Sequence, residues 1–216
     1  MFNIFRRKER VRLPDRTLEE IKNICNVLFI DDRKFPVVEI LKDAGWQNTR
    51  SIKDVESIDQ KEIKEAHIIF SDIQGVGKKL QFAEEGLGLS MAIKEKYPTK
   101  KLIVYSAEEK GKIEAFHPGI DIADNRLKKN ADPYQFQVLV ENYAKEAFSF
   151  NECIERIRKQ IQRDTGYSLE FDDVVAGLLK IQKAKSYSDS DIKRVFNLQN
   201  TASIANIVQL FLTAST

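Results

Sequence analysis

The residues VLFIDDRKFP, positions 27–36, run four apolar side chains straight into two adjacent aspartates. A continuous apolar run of strand length, without alternation, is what a parallel strand covered on both faces requires. The segment Asn26 to Ile30 therefore reads as a buried strand, with Asp31 and Asp32 at its carboxyl end. Neighbouring carboxylates repel one another, so keeping two of them at a strand end calls for a compensating partner.

Working outward, the same pattern returns. AHIIFSD carries the apolar run His67 to Phe70 into Asp72, and LIVYS forms a third buried strand that ends at Ser106. Helical stripes lie between these runs. Val37, Val38, Ile40, Leu41 and Ala44 share one face of a helix over Phe35 to Ala44, stopped by Gly45. A helix from Gly86 to Tyr97 is ended by Pro98, and Pro133 opens another near Tyr134. Weaker patterns give a strand over Trp46 to Ile52, a helix over Asp54 to Lys64, a short helix around Ala107 to Phe116 and a strand over Ile120 to Leu127. Upstream, LPDRTLEEIKN predicts a short helix capped near Asp15 or Thr17 and ending at Asn23. Strands alternating with helices imply an α/β fold, a doubly wound five-stranded parallel sheet, because parallel neighbours need crossover connections.

From about Glu146 the strand signals stop. Phe150, Cys153, Ile154, Ile157 and Ile161 recur at helical spacing, as do Val174, Val175, Leu178, Leu179 and Ile181, and TASIANIVQLFLTAS closes the chain as an apolar helix. An all-α C-terminal region of three or four helices is expected. The division is thus 1–24 as a basic arm and short helix, 25–147 as the α/β domain, and 148–216 as the helical region.

Composition narrows the class. Of 216 residues, 42% are hydrophobic and 31% charged, ordinary for a soluble globular protein, and a net charge of +2 selects no partner. Cys25 and Cys153 lack CxxC spacing and fit core thiols in a reducing cytoplasm. No run is long and apolar enough for a membrane span, and MFNIFRRKER lacks the apolar centre of a signal peptide, so a cytoplasmic protein with a frayed basic tail is expected.

In open α/β sheets ligands sit at the carboxyl ends of the strands. That rule gathers Asp31 and Asp32 after the first strand, Asp72 after the third, Ser106 after the fourth and Lys129 after the fifth. Three carboxylates about 5 Å apart repel by a few kcal/mol per pair at an effective dielectric of about 20, so a cation must offset them. Oxygen-only donors suit a small hard dication such as Mg²⁺, and a hydroxyl and an ammonium opposite would hold phosphoryl oxygens.

IDD at 30–32, SD at 71–72, YSA at 105–107, LKK from 127 and the following NADPYQF up to 136 resemble, in order and spacing, the receiver domain of two-component response regulators. EGLGLSMAIKEKYPTKKLIVYSA is similar to that family's third helix and fourth strand. The resemblance covers residues 25 to 147 and implies a flavodoxin-like receiver fold. It implies that Asp72 accepts a phosphoryl group from phosphohistidine, that Asp31, Asp32 and Asp72 with the Gln74 carbonyl hold Mg²⁺, and that Ser106 and Lys129 meet the phosphoryl group. Lys129 rather than Lys128 takes this role, because KNADPYQF aligns with the family's lysine, loop and next helix. The implied protein is a response regulator and phosphoprotein in a phosphorelay, with a sensor histidine kinase or phosphotransfer protein as partner. It is not an enzyme beyond slow self-dephosphorylation.

Three departures stand out. The segment IQGVGKKLQFAEEGLG after Asp72 is longer than the family's loop and lacks its proline, and Gly75, Gly77 and the Lys78–Lys79 pair suggest a mobile flap. Arg126 occupies the position of the family's switch aromatic, and Asn130 that of its proline. The Arg126 departure leaves an alternative, a pseudo-receiver acting as a phosphorylation-independent interaction module. A phosphohydrolase of the haloacid dehalogenase type would space its two aspartates by one residue, unlike the adjacent pair here. His67 and His117 lack metal-ligand spacing and Trp46 reads as packing. GVG and GLG do not complete a nucleotide-binding pattern. Residues 149–216 carry nine basic and eight acidic residues, which argues against duplex DNA and makes the helical region a candidate for homodimerisation or partner docking.

Overall fold

A computed structural model describes residues 16–107, 118–184, 188–198 and 208. The chain divides into two compact units, Thr17–Ala147 and a second that contains Phe148–Thr216. The first is built on five parallel strands, β1 (Val27–Ile30), β2 (Thr49–Ile52), β3 (Ile68–Asp72), β4 (Lys101–Ser106) and β5 (Asn125–Lys128), in the order β2-β1-β3-β4-β5. This is the doubly wound, flavodoxin-like order, whose switch point lies between β1 and β3.

The central strands are buried because helices cover both faces, and the pleat sorts their side chains into two layers. Leu28, Ile30, Ile69 and Leu102 pack on one side with Val55, Ile63, Leu89 and Ile93. On the other, Phe29 and Phe70 stack with centroids 4.5 Å apart, and Phe35, Tyr105 and Phe136 complete an aromatic cluster. Phe136 comes from α6 (Pro133–Ala147), which seals that face.

The crossover helices follow local chemistry. α1 (Leu18–Ile24) opens on a capping box, Thr17 accepting from the Glu20 amide while the Glu20 carboxylate accepts from the Thr17 amide. This helix lies within the first unit, where Lys22 donates to the Ala44 carbonyl at 2.8 Å. α2 (Val37–Asp43) ends before Gly45, whose φ of 96° is costly for any other residue. α4 (Glu85–Lys96) stops at Tyr97, ahead of Pro98.

Two expected elements differ. The helix expected over Asp54 to Lys64 is reduced to α3 (Lys61–Glu65), because Asp54 uses its carboxylate on distant backbone and the Gln60 side chain accepts from the Glu56 amide. The strand expected over Ile120 to Leu127 is shorter and later. Residues Pro118–Asp121 form α5, and only Asn125–Lys128 pair with β4. The short helix expected around Ala107 to Phe116 lies, beyond Ala107, outside the described residues, as do His117 and the basic arm.

The second unit contains α7 (Phe150–Thr165), α8 (Phe171–Ala184) and α9 (Asp189–Phe196). Ser149 and Ser188 cap their helices, and Gly166 and Asn197 end them in the left-handed conformation. Ile154, Ile157, Val174, Leu178 and Ile192 form its core with Val208, the one described residue of the closing apolar segment. No described helix is long and apolar enough to cross a membrane.

Candidate functional site

The carboxyl edge of the sheet collects the acids. Asp31 follows β1 directly, and its amide extends the ladder to Ile52 at 3.0 Å. Asp72 is the last residue of β3, paired in register with Tyr105 of β4. Asp31, Asp32 and Asp72 each offer a carboxylate oxygen within 4.8 Å of the others. Asp31 and Asp72 are buried, at 1% and 5% exposure, while Asp32 faces solvent. Three oxygen donors of this kind, with one side open, match what a small hard dication requires.

Lys129 supplies the positive charge. Its amide donates to the Ser106 carbonyl at 2.7 Å, which carries the chain past β5 back over the sheet edge. From there its ammonium lies 2.6 Å from Asp72 Oδ2 and 2.9 Å and 2.8 Å from Asp31 Oδ1 and Oδ2. It also sits 5.9 Å and 5.7 Å from the ring centroids of Phe35 and Tyr105, a cation–π cradle. Lys128, one residue earlier, is exposed and borders a different cavity, so geometry selects Lys129 as the lysine that reaches the acids.

Electrostatics follow from burial. Desolvation pushes the Asp72 carboxyl above its ordinary range, although Lys129 and the Gln74 amide, 3.3 Å from Oδ1, pull it back. For Lys129, burial favours the neutral amine, but hydrogen bonds and charges from Asp31 and Asp72 outweigh it and hold the ammonium above its ordinary value. A carboxylate poorly solvated yet beside a fixed cation is a nucleophile ready for an electrophile that arrives with its own counter-charge.

A cavity of about 600 Å³ opens over the acids, bordered by Asp32, Asp72, Gln74, Lys78, Glu85 and Lys129. Its outer wall is the long segment after Asp72. The sequence suggested a mobile flap there, but the segment is tied down. Asp54 accepts from the Gly77 and Lys79 amides, Glu85 accepts from the Gly75 amide, and Val76 is wholly buried. Gly75 has φ 82°, and a Cβ there would stand 2.7 Å from the Asp32 carboxylate, so glycine lets the wall close on the acids. Gly86 fits still more tightly, since a Cβ would lie 1.9 Å from the Asp72 carbonyl oxygen.

The sequence-predicted residues therefore separate into two groups. Asp32, Asp72, Gln74 and Lys129 border one cavity, and the buried Asp31 lies against them, bonded to Lys129. Ser106 is buried at the end of β4 but has the pleat parity of Leu102 and Val104, opposite to Tyr105, and it borders the neighbouring cavity with Arg126 and Lys128. Ala107 is on the wall of the acidic cavity in its place. Sequence reasoning missed Tyr105, whose hydroxyl donates to Asp31 Oδ2 at 2.8 Å. The available clue was parity: in parallel register Tyr105 stands beside Asp72, two residues past Ile103 on the aromatic face. His67 lies at the opposite strand ends, where its Nδ1 accepts from the Asn26 amide at 3.0 Å.

No protein-family model matches the chain, and no curated protein matches it. Among solved structures it is similar to NtrX from Brucella abortus in complex with ATP, at 20% identity and a TM-score of 0.43, covering 74% of this chain and 35% of that one. The chain thus spans about a third of the length of that protein. A response regulator from Thermotoga maritima is 18% identical with a TM-score of 0.42, over 56% of this chain and 97% of that one. RcsB from Salmonella enterica serovar Typhimurium, bound to a promoter in the presence of phosphomimetic BeF3-, is 18% identical with a TM-score of 0.43, over 89% and 91% of the two chains.

Proposed function

We propose that the chain is a phosphorylation-responsive signalling protein of the response-regulator type, in which Asp72 accepts a phosphoryl group from a phosphohistidine donor and the helical unit is the effector or dimerisation element. One observation carries this reading: a buried aspartate with raised proton affinity lies 2.6 Å from a lysine ammonium and within 4.8 Å of two further carboxylates, at the ligand-binding edge of the sheet.

In the transfer, an Asp72 oxygen attacks phosphorus as the bond from phosphorus to the donor nitrogen breaks, and the histidine leaves with its electron pair and takes up a proton. Asp32 and Asp72, with Asp31 and the Gln74 carbonyl, are the groups suited to Mg²⁺, which when bound would offset charge on the phosphoryl oxygens. Lys129 moves from sharing Asp31 and Asp72 to meeting a phosphoryl oxygen, and the cradle of Phe35 and Tyr105 keeps it in reach. A kinase or phosphotransfer protein is the expected donor.

The test is incubation with phosphoramidate and Mg²⁺, followed by intact mass. A single phosphoryl adduct is expected in the wild type and none in Asp72→Asn. An adduct that persists in the variant would overturn the assignment of Asp72. Arg126 favours a second reading, the phosphorylation-independent module. It shares a cavity with Ser106, where an arginine cannot bury itself as a switching aromatic would. An adduct that forms without changing oligomeric mass or helical-unit protection would favour that module.

A further inference from the structure

Asp31 is saturated. Its Oδ1 accepts from the Arg33 amide at 2.9 Å and from Lys129, and its Oδ2 accepts from the Tyr105 hydroxyl at 2.8 Å and from Lys129 again. The Tyr105 ring is wholly buried, stacked on Phe35 at 5.2 Å with 15° between planes, and met edge-on by Phe29 and Phe136. Its hydroxyl cannot leave Asp31 without opening the aromatic core. The Lys129 ammonium lies 5.7 Å from the centroid of the same ring. One side chain therefore touches both the carboxylate and the cation that the site depends on, and a β4 residue read only as apolar packing would have left both less constrained.

We infer that Tyr105 is a positioning residue: its hydroxyl latches Asp31 onto Lys129 and so sets how much negative charge the site presents to a dication. Asp31, a carboxylate, can only accept, so the Tyr105 hydroxyl is the donor in this bond. Removing that donor leaves a buried carboxylate oxygen less satisfied and raises the attraction for a cation beside Asp32 and Asp72. The inference about the dication rests on the metal site proposed above, whereas the latch between Tyr105 and Asp31 does not.

Tyr105→Phe keeps the ring stack and deletes the donor, so the experiment is a cycle of Tyr105→Phe, Asp31→Asn and the double variant, read in two ways. Calorimetric titration with Mg²⁺ should show roughly tenfold tighter binding for Tyr105→Phe, the equivalent of one hydrogen bond to a charged group. That gain should disappear in the Asp31→Asn background. Urea midpoints of the metal-free proteins should be non-additive across the same cycle, which a tyrosine that acted by packing alone would not produce. Additive midpoints, or an unchanged or background-independent Mg²⁺ affinity, would overturn the positioning role. If the wild type binds no Mg²⁺ while the midpoints stay non-additive, the metal site falls and the latch stands.

Discussion

Replacing Lys129 by methionine is the sharpest perturbation of this site, because it removes the charge while keeping the length of the stem. The Lys129 side chain is 18% exposed, and the side chains of its partners Asp31 and Asp72 are 0% and 6% exposed, so two carboxylates are left buried with one cation gone. Breaking a buried pair in this way costs about 3 kcal/mol or more, well above a surface ion pair. In a chain of this size each kcal/mol moves the melting temperature by about 2–4 °C, so a fall of about 6–12 °C is expected in chelator at pH 7.5. Mg²⁺ should restore much of it, since a dication among the acids replaces the missing ammonium. At a hundred times its dissociation constant it would return about 2.7 kcal/mol. Lys128→Met, at an exposed neighbour, should stay within about 0.5 kcal/mol of wild type. The assay is calorimetric melting of the three proteins with and without Mg²⁺. If Lys129→Met melts with the wild type in chelator, the acids do not depend on Lys129 and the electrostatic reading of the site is refuted.

Other consequences can be measured on the same protein. Gly86→Ala forces a Cβ to within 1.9 Å of the Asp72 carbonyl, so it should destabilise by about 3 kcal/mol and abolish labelling, detected by urea denaturation and mass; a wild-type midpoint would contradict this packing. Asp54→Ala releases the Gly77 and Lys79 amides and should speed tryptic cleavage after Lys78 and Lys79 several-fold, at a cost of about 1–2 kcal/mol, with unchanged digestion counting against a pinned wall. Asp72 titrates above its ordinary 3.8, so its contribution to stability is complete below that value and is lost as pH rises through its raised folded value. Metal-free urea midpoints between pH 4 and 8 should carry this downward slope, and Asp72→Asn should flatten it. Lys129 acts in the same sense at the far end, its contribution being present below 10.5 and lost above its raised folded value.

How much of this was legible in the sequence depended on what each residue is asked to do. β1, β3 and β4 are buried on both faces, so their composition had to be apolar and their ends could be read to within two residues. β5 is an edge strand of sequence NRLK, exposed at both ends, with Leu127 its single apolar residue; the run from Ile120 drew the expected strand too early, onto a short helix. Asp54 misled for a related reason, since a carboxylate that bonds backbone amides more than twenty residues away leaves no periodic trace. The acids and Lys129 were legible because charged residues directly behind strands have few other reasons to be there. Tyr105 was not, because it shares its strand with Ser106, which the sequence did single out, and only the pleat decides which of them faces the acids. A polar residue one step along a strand changes sides, and that step separates the hydroxyl that holds Asp31 from the hydroxyl that borders Arg126. On the proposed reading, a phosphoryl group at Asp72 would compete first for Lys129, because the Tyr105 hydroxyl on Asp31 is held by the aromatic core.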